Sequence, residues 1–327
     1  MSTQKILWAL QPNSLLIGEL SKQFALLSQI APECLIEPVA LIPFNSSSLH
    51  SEELLELGER RKAAQLELMQ LTKDVTFRGS QAQQSGLGLG TVLLVDEAKG
   101  QDAVEVLCDY AKRMEVRFIA VSNKGKEGFD RLIYGSFSKS LMEFSPVPVL
   151  LSNPQLEEKR GETGDKISRI LFATDFTAES LSHFVDVTRL ARKLHGRVTV
   201  YHHSLKLKKK LSELGLISKE CRYWKTEETG ERDPDEKTLE LWREAAGKGV
   251  PLDFIPQDQT STNEVGIGIV AAARRIKADL IAMSHHTSPF ASSTEGSIAE
   301  YVSTHAGCWV WVKRGDLVYQ EGSIKRA

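Results

Sequence analysis

Two short constellations in this sequence have residue types and spacing suited to holding a phosphorylated ligand. The first is Ser122-x-x-Gly125, then nine residues, then Gly135-Ser136. Gly125 has no Cβ, so backbone there can come close to a phosphate or ribose. The N–H groups of Gly135-Ser136 open a predicted helix whose dipole favours an anion, and the Ser136 hydroxyl adds a donor. The second constellation is weaker: Met283-Ser284-His285-His286-Thr287, a Ser-rich loop holding Pro289 and Phe290, and then Gly296-Ser297. It keeps the helix start and lacks the glycine cradle. Asp175 comes after an apolar run and either contacts a ligand or caps the next helix. His202-His203 and His285-His286 each close a further apolar run. His203, His285 and Asp175 together make an N/N/O donor set of the kind that takes zinc or another divalent metal. Strand-end side chains alternate faces, so the same histidines are equally compatible with pointing apart.

Such residues need a sheet edge to hold them, and the apolar pattern supplies one twice. Lys5–Leu10, Ile36–Pro43, Leu89–Val95, the run around Phe118–Val121 and the run ending at Leu151 read as buried strands. Helical spacing separates them, over Leu15–Ile30, Ser51–Thr72, Asp102–Met114 and the stretch opening on Gly135-Ser136. In the helix from Asp102, the expected buried face is Val104, Val106, Leu107 and Tyr110. Short continuous apolar strands flanking helices are the signature of a parallel sheet covered on both faces. Residues 153–167 carry charge, Pro and Gly without an apolar period and read as a linker. The series then restarts with strands at Arg169–Thr174, Arg197–His202, Pro251–Ile255, Ala278–Met283 and Cys308–Val312. Helices are expected over Thr177–Leu194, Glu236–Gly247 and Asn263–Ile276. Ile6 recurs at Ile170 and Gly135 at Gly296 with nearly the same offset, which marks an internal repeat. The expected domains are 1–152 and 168–315, with 316–327 as a tail. Gly86-Leu87-Gly88-Leu89-Gly90 precedes a strand rather than opening a helix, so it reads as a flexible connection, not a nucleotide fingerprint.

Composition narrows the function classes. At 327 residues the chain exceeds one ordinary core and suits two domains of about 150 residues. Hydrophobic content of 41% with 26% charged is that of a soluble globular protein. Forty-one basic against 43 acidic residues exclude a nucleic-acid binder that works by bulk charge. Cys34, Cys108, Cys221 and Cys308 show no CxxC spacing, which excludes a zinc ribbon, a redox pair or a disulfide framework. No apolar run nears the roughly 20 residues of a membrane span. The start runs directly into a strand without the apolar segment of a signal peptide, so the expected location is cytoplasmic.

With spacing, strand context and repetition in agreement, the chain resembles the universal stress protein family. Nucleotide-binding members carry G-x-x-G, nine residues and then G-S/T where this chain has Ser122-x-x-Gly125 and Gly135-Ser136. The likeness covers nearly the whole chain twice, as in a tandem-domain member. It implies an α/β fold of two doubly wound five-stranded parallel-sheet domains, adenine nucleotide alpha hydrolase-like, with strand order 3-2-1-4-5 in each. It also implies an intramolecular pseudo-dimer, in which Trp309 and Trp311 either face Val147 and Val149 or are simply buried under helices, and a homodimer beyond that is open. The implied ligand is ATP or AMP in domain 1, at Gln11, Ala40, Ser122, Gly125, Gly135 and Ser136. In domain 2 the matching residues are Asp175, Gly296 and Ser297, where Ala173-Thr174-Asp175-Phe176-Thr177 is similar to the family's A-T-D-F-S. Each half departs from the pattern. Ser122 replaces a glycine, Gln11 replaces an aspartate, and Met283–Thr287 has no glycine and precedes an interval one residue short. The implied role is a stress-response sensor or adaptor. The alternatives are a scaffold whose two domains serve only protein contacts, and a weak metal-dependent nucleotide hydrolase using Asp175 and the histidines. No triad or partnered general base can be assembled from the spacings. No nucleic-acid or membrane partner is expected.

Overall fold

The computed structural model describes residues 4–10, 17–48, 50–78, 86–122, 137–152, 166–202, 236–256, 265–285, 298–314, 317–320 and 323–326. The chain divides into two compact units, Met1–Gln155 and Leu156–Ala327. Unit 1 contains β1 (Lys5–Ala9), α1 (Ile17–Ile30), β2 (Leu35–Phe44), α2 (Ser51–Arg78), β3 (Thr91–Asp96), α3 (Ala103–Arg113), β4 (Ile119–Ser122), α4 (Ser138–Phe144) and β5 (Val149–Ser152). β1 lies between β2 and β4, with Leu7 opposite Glu37 on one side and Ala9 opposite Val121 on the other. β3 extends the sheet beyond β2 and β5 extends it beyond β4, all parallel. The order is therefore 3-2-1-4-5, as the family resemblance implied. Right-handed crossovers from a sheet of this order send α1 and α2 to one face, α3 and α4 to the other. The helices do pack in those pairs. The apolar runs become strands because both faces are covered: Ile6, Leu7 and Trp8 have no exposed surface. The indole N–H of Trp8 donates to Gln23 on α1 at 3.2 Å, which satisfies the one polar atom that the burial would orphan.

Unit 2 repeats the plan with β6 (Arg169–Ala173), α5 (Ala178–Lys193), β7 (Arg197–His202), α6 (Glu236–Ala246), β8 (Leu252–Pro256), α7 (Val265–Ile276), β9 (Leu280–His285), α8 (Ile298–His305) and β10 (Trp309–Arg314). β6 pairs with β7 and β9, while β8 and β10 pair with the far sides of those two strands. Phe172 on β6, Phe184 on α5 and Trp242 on α6 meet at centroid distances of 4.7 to 5.8 Å and fill the core under α5 and α6. Among the described residues no helix is long and apolar enough to cross a membrane.

Four local outcomes differ from the sequence expectation. Residues 86–90 are no loose connection: Gly86 O accepts from Ile36 N, Gly88 N donates to Ile36 O, and Leu87 bridges Ile36. The run lies along β2 until Gly90 turns it at φ 87° into β3, which starts at Thr91 rather than Leu89. α2 continues past Thr72 to Arg78, because Leu68, Thr72 and Val75 stay buried at helical spacing. α3 buries Val104, Leu107, Cys108 and Ala111, leaving Val106 and Tyr110 half-buried. Tyr110 instead donates its hydroxyl to the buried Glu37 at 2.8 Å. Within the stretch expected as a tail, β11 (Leu317–Gln320) and β12 (Ser323–Arg326) pair as an antiparallel hairpin.

Candidate functional site

In a doubly wound sheet the ligand crevice opens at the carboxyl edge where neighbouring crossovers go to opposite faces. In unit 1 that point lies between β1 and β4. Ala9 faces Val121, so the two strands end nearly level. Leu10 N donates to Val39 O at 2.8 Å and holds the exit of β1 against β2. Ser122 is the last residue of β4, opposite Ser152. Gln11, Gly125, Gly135 and Ser136 lie outside the described residues. Helix α4 is described from Ser138; Phe137 ahead of it is already helical and provides no side-chain cap. Ala40 sits in β2 between β1 and β3 and is wholly buried.

The matching edge of unit 2 is built by Thr174-Asp175-Phe176-Thr177. Asp175 is exposed, and its Oδ1 accepts from Thr177 N at 3.1 Å, Thr177 Oγ1 at 2.9 Å and Ser180 Oγ at 2.7 Å. Thr177 Oγ1 in turn accepts from Ser180 N at 3.3 Å and caps α5. Asp175 thus organises the cap one step removed from the helix. Phe176 has φ 61°, a left-handed conformation that costs a non-glycine residue about 1–2 kcal/mol. Its N–H donates to Thr174 Oγ1 at 2.9 Å, and its ring packs edge-on against His202 at 5.0 Å and Trp242 at 4.9 Å. His202 Nδ1 lies 2.7 Å from Thr174 O, tying the end of β7 to the exit of β6. These contacts seat aromatic side chains on the edge between the two strands.

Of the expected metal ligands, His285 ends β9 opposite Arg314, and Asp175 is engaged as above. His203, like His286, Gly296 and Ser297, lies outside the described residues. Among the described residues no group of three His, Cys, Asp or Glu is placed to hold a metal.

The sequence profile of the universal stress protein family matches residues 37–153 and again 166–314. The chain belongs to the universal stress protein family. Its fold is shared with a universal stress protein from Archaeoglobus fulgidus DSM 4304 at TM-score 0.60 and 16% identity, covering 95% of this chain and 96% of that one. It is shared also with a functionally unknown protein from Pseudomonas aeruginosa PAO1 at TM-score 0.54 and 14% identity, covering 96% and 93%. No curated protein matches the chain.

The second universal stress protein unit also contains a buried polar group that sequence reading missed. Lys313, near the end of β10, is 1% exposed, and its Nζ donates to Asp186 Oδ2 at 2.9 Å and Ser182 Oγ at 3.1 Å on α5. One helical position away, His183 has no exposed surface and is held edge-on by Phe172 at 5.5 Å and Trp311 at 5.1 Å. Burial, and after it the charge of Lys313, keeps this imidazole well below the ordinary histidine range and hence neutral. The one signal available was a lysine continuing the apolar run Trp309-Val310-Trp311-Val312.

Proposed function

We propose that unit 1 binds an adenine nucleotide, ATP or AMP, at the carboxyl edge between β1 and β4, and that the chain serves a stress response as a sensor or adaptor. The observation that supports this reading is the level pairing of β1 with β4. Because the strands end together, the segments carrying Gln11 and Ser122-x-x-Gly125 start side by side at the switch point of the sheet. In this reading Gly125 gives the phosphates backbone clearance, and Gly135 with Ser136 supplies donors to them. Domain 2 contributes Gly296-Ser297 only as a remnant. At its β6–β7 exit Phe176 packs on His202 and Trp242, whereas the β2 position matching His202 is the small residue Ala40. Isothermal titration of the full chain at about 100 μM with ATP, ADP and AMP tests the proposal. Dissociation constants between about 1 μM and 1 mM are expected, with Gly125→Val weakening binding at least about tenfold. Absence of heat with all three nucleotides rejects it.

The second reading is a scaffold without a nucleotide site, both units serving only protein contacts, which Gln11, Ser122 and the glycine-free run Met283–Thr287 favour. Mass spectrometry of the denatured protein adds a check in one direction, since a nucleotide that co-purifies supports binding and overturns the scaffold reading.

A further inference from the structure

Helix α2 is 28 residues long, about 42 Å at 1.5 Å per residue, and one of its faces has no partner among the described residues. Ala64, Leu68, Thr72 and Val75 are buried on the side that packs on the sheet. Away from it, Leu55, Glu59, Lys62 and Leu66 are all exposed, with Leu55 at 71% and Leu66 at 66%. Their spacing of four, three and four residues places them within an arc of about 60° on the helix surface. Leu89 stands beside this stripe, 71% exposed, because Gln65 Nε2 donates to the carbonyls of Leu89 at 3.4 Å and Gly90 at 3.2 Å.

Read in either direction, the stripe is apolar, charged, oppositely charged, apolar. We propose that α2 is the contact surface for a second copy of this chain, the two helices lying antiparallel about a two-fold axis between Glu59 and Lys62. Leu55 of one copy then meets Leu66 of the other beside Leu89, and Glu59 meets Lys62, each contact occurring twice by symmetry. Such self-complementarity selects a second copy over an unrelated partner, because the antiparallel register matches both leucines and both charges at once. Gly58 lies next to the crossing with open space around its Cα, so the partner backbone can approach closely there.

Sedimentation equilibrium of the full chain from about 5 to 200 μM tests the pairing, with circular dichroism to confirm that each variant is folded. The wild type is expected to form a reversible dimer and L55D/L66D to be a monomer. Glu59→Lys and Lys62→Glu should each weaken the dimer about tenfold, since each turns two attractions into two repulsions. The combined E59K/K62E chain should recover to within about threefold of wild type. A wild type that stays monomeric, a dimer indifferent to L55D/L66D, or a double reversal that fails to recover each overturns the proposal. The outcome is independent of nucleotide binding.

Discussion

Lys313 brings an ammonium into the core of unit 2, and the two ends of its ion pair with Asp186 are unequally sensitive to removal. Asp186 is 20% exposed and also faces Arg189 at 3.5 Å. If Lys313 is replaced by Met, the Asp186 carboxylate keeps water and a second cation. If Asp186 is replaced by Ala, the 1% exposed ammonium loses its carboxylate with no route to solvent. Asp186→Ala is therefore expected to cost about 3–5 kcal/mol and Lys313→Met about 1–2 kcal/mol or less. Urea unfolding of both variants checks this, and equal losses would show that burial of the charge is not what sets the scale.

Each unit anchors the start of its first strand with a carboxylate, drawn from a different element. In unit 1, Glu37 on β2 accepts from Lys5 Nζ at 2.8 Å, from Tyr110 and from Thr91. In unit 2, Asp279 ahead of β9 accepts from the backbone N–H of Ser168 and Arg169 and from both their side chains, at 2.8 to 3.1 Å. The duplicated sheet kept its topology while exchanging the polar clamp that fixes its register. At the same level, Gly90 connects the 86–90 run to β3, and a Cβ there would lie 2.9 Å from Leu68 Cβ on α2. With φ at 87° besides, Gly90→Ala is expected to destabilise unit 1 by about 2–4 kcal/mol, read by thermal or urea unfolding. The apolar runs made the ten sheet strands and their repetition legible in the sequence, because local periodicity reflects burial on both faces. The capping role read for Asp175 was legible only in part: Thr177 caps α5, and Asp175 holds the Thr177 hydroxyl in place. What was not legible depends on partners distant along the chain: Lys313 pairs across 127 residues and Tyr110 reaches Glu37 across 73. The glycine spacing pointed to the candidate site. The seating of Phe176 over His202 and Trp242 requires a left-handed phenylalanine, which no propensity rule favours.

The two units also differ in how acid should act on them. In unit 1, burial pushes the Glu37 carboxyl up, but hydrogen bonds from Lys5, Thr91 and Tyr110 outweigh it and hold it below the usual carboxylate range. Its stabilising contribution is present above the unfolded value of about 4.3 and is lost only as pH falls through the lower folded value. In unit 2, His183 stays neutral when folded, whereas the unfolded chain takes up that proton below about pH 6.5. The unfolded state then binds more protons, so stability falls with pH from about 6.5 downward, by up to about 1.4 kcal/mol per pH unit. Between pH 7 and 5, unit 2 is expected to lose stability through His183, while the Glu37 contribution in unit 1 holds. Amide hydrogen exchange read by peptide mass spectrometry, corrected for intrinsic rates, should show protection falling in peptides of β6, α5 and β10 before those of β1 and β2. His183→Phe preserves a ring between Phe172 and Trp311 but cannot take a proton, so it should flatten the unit 2 profile over this range. Equal loss in both units, or an unchanged slope in the phenylalanine variant, would place the acid-sensitive group elsewhere.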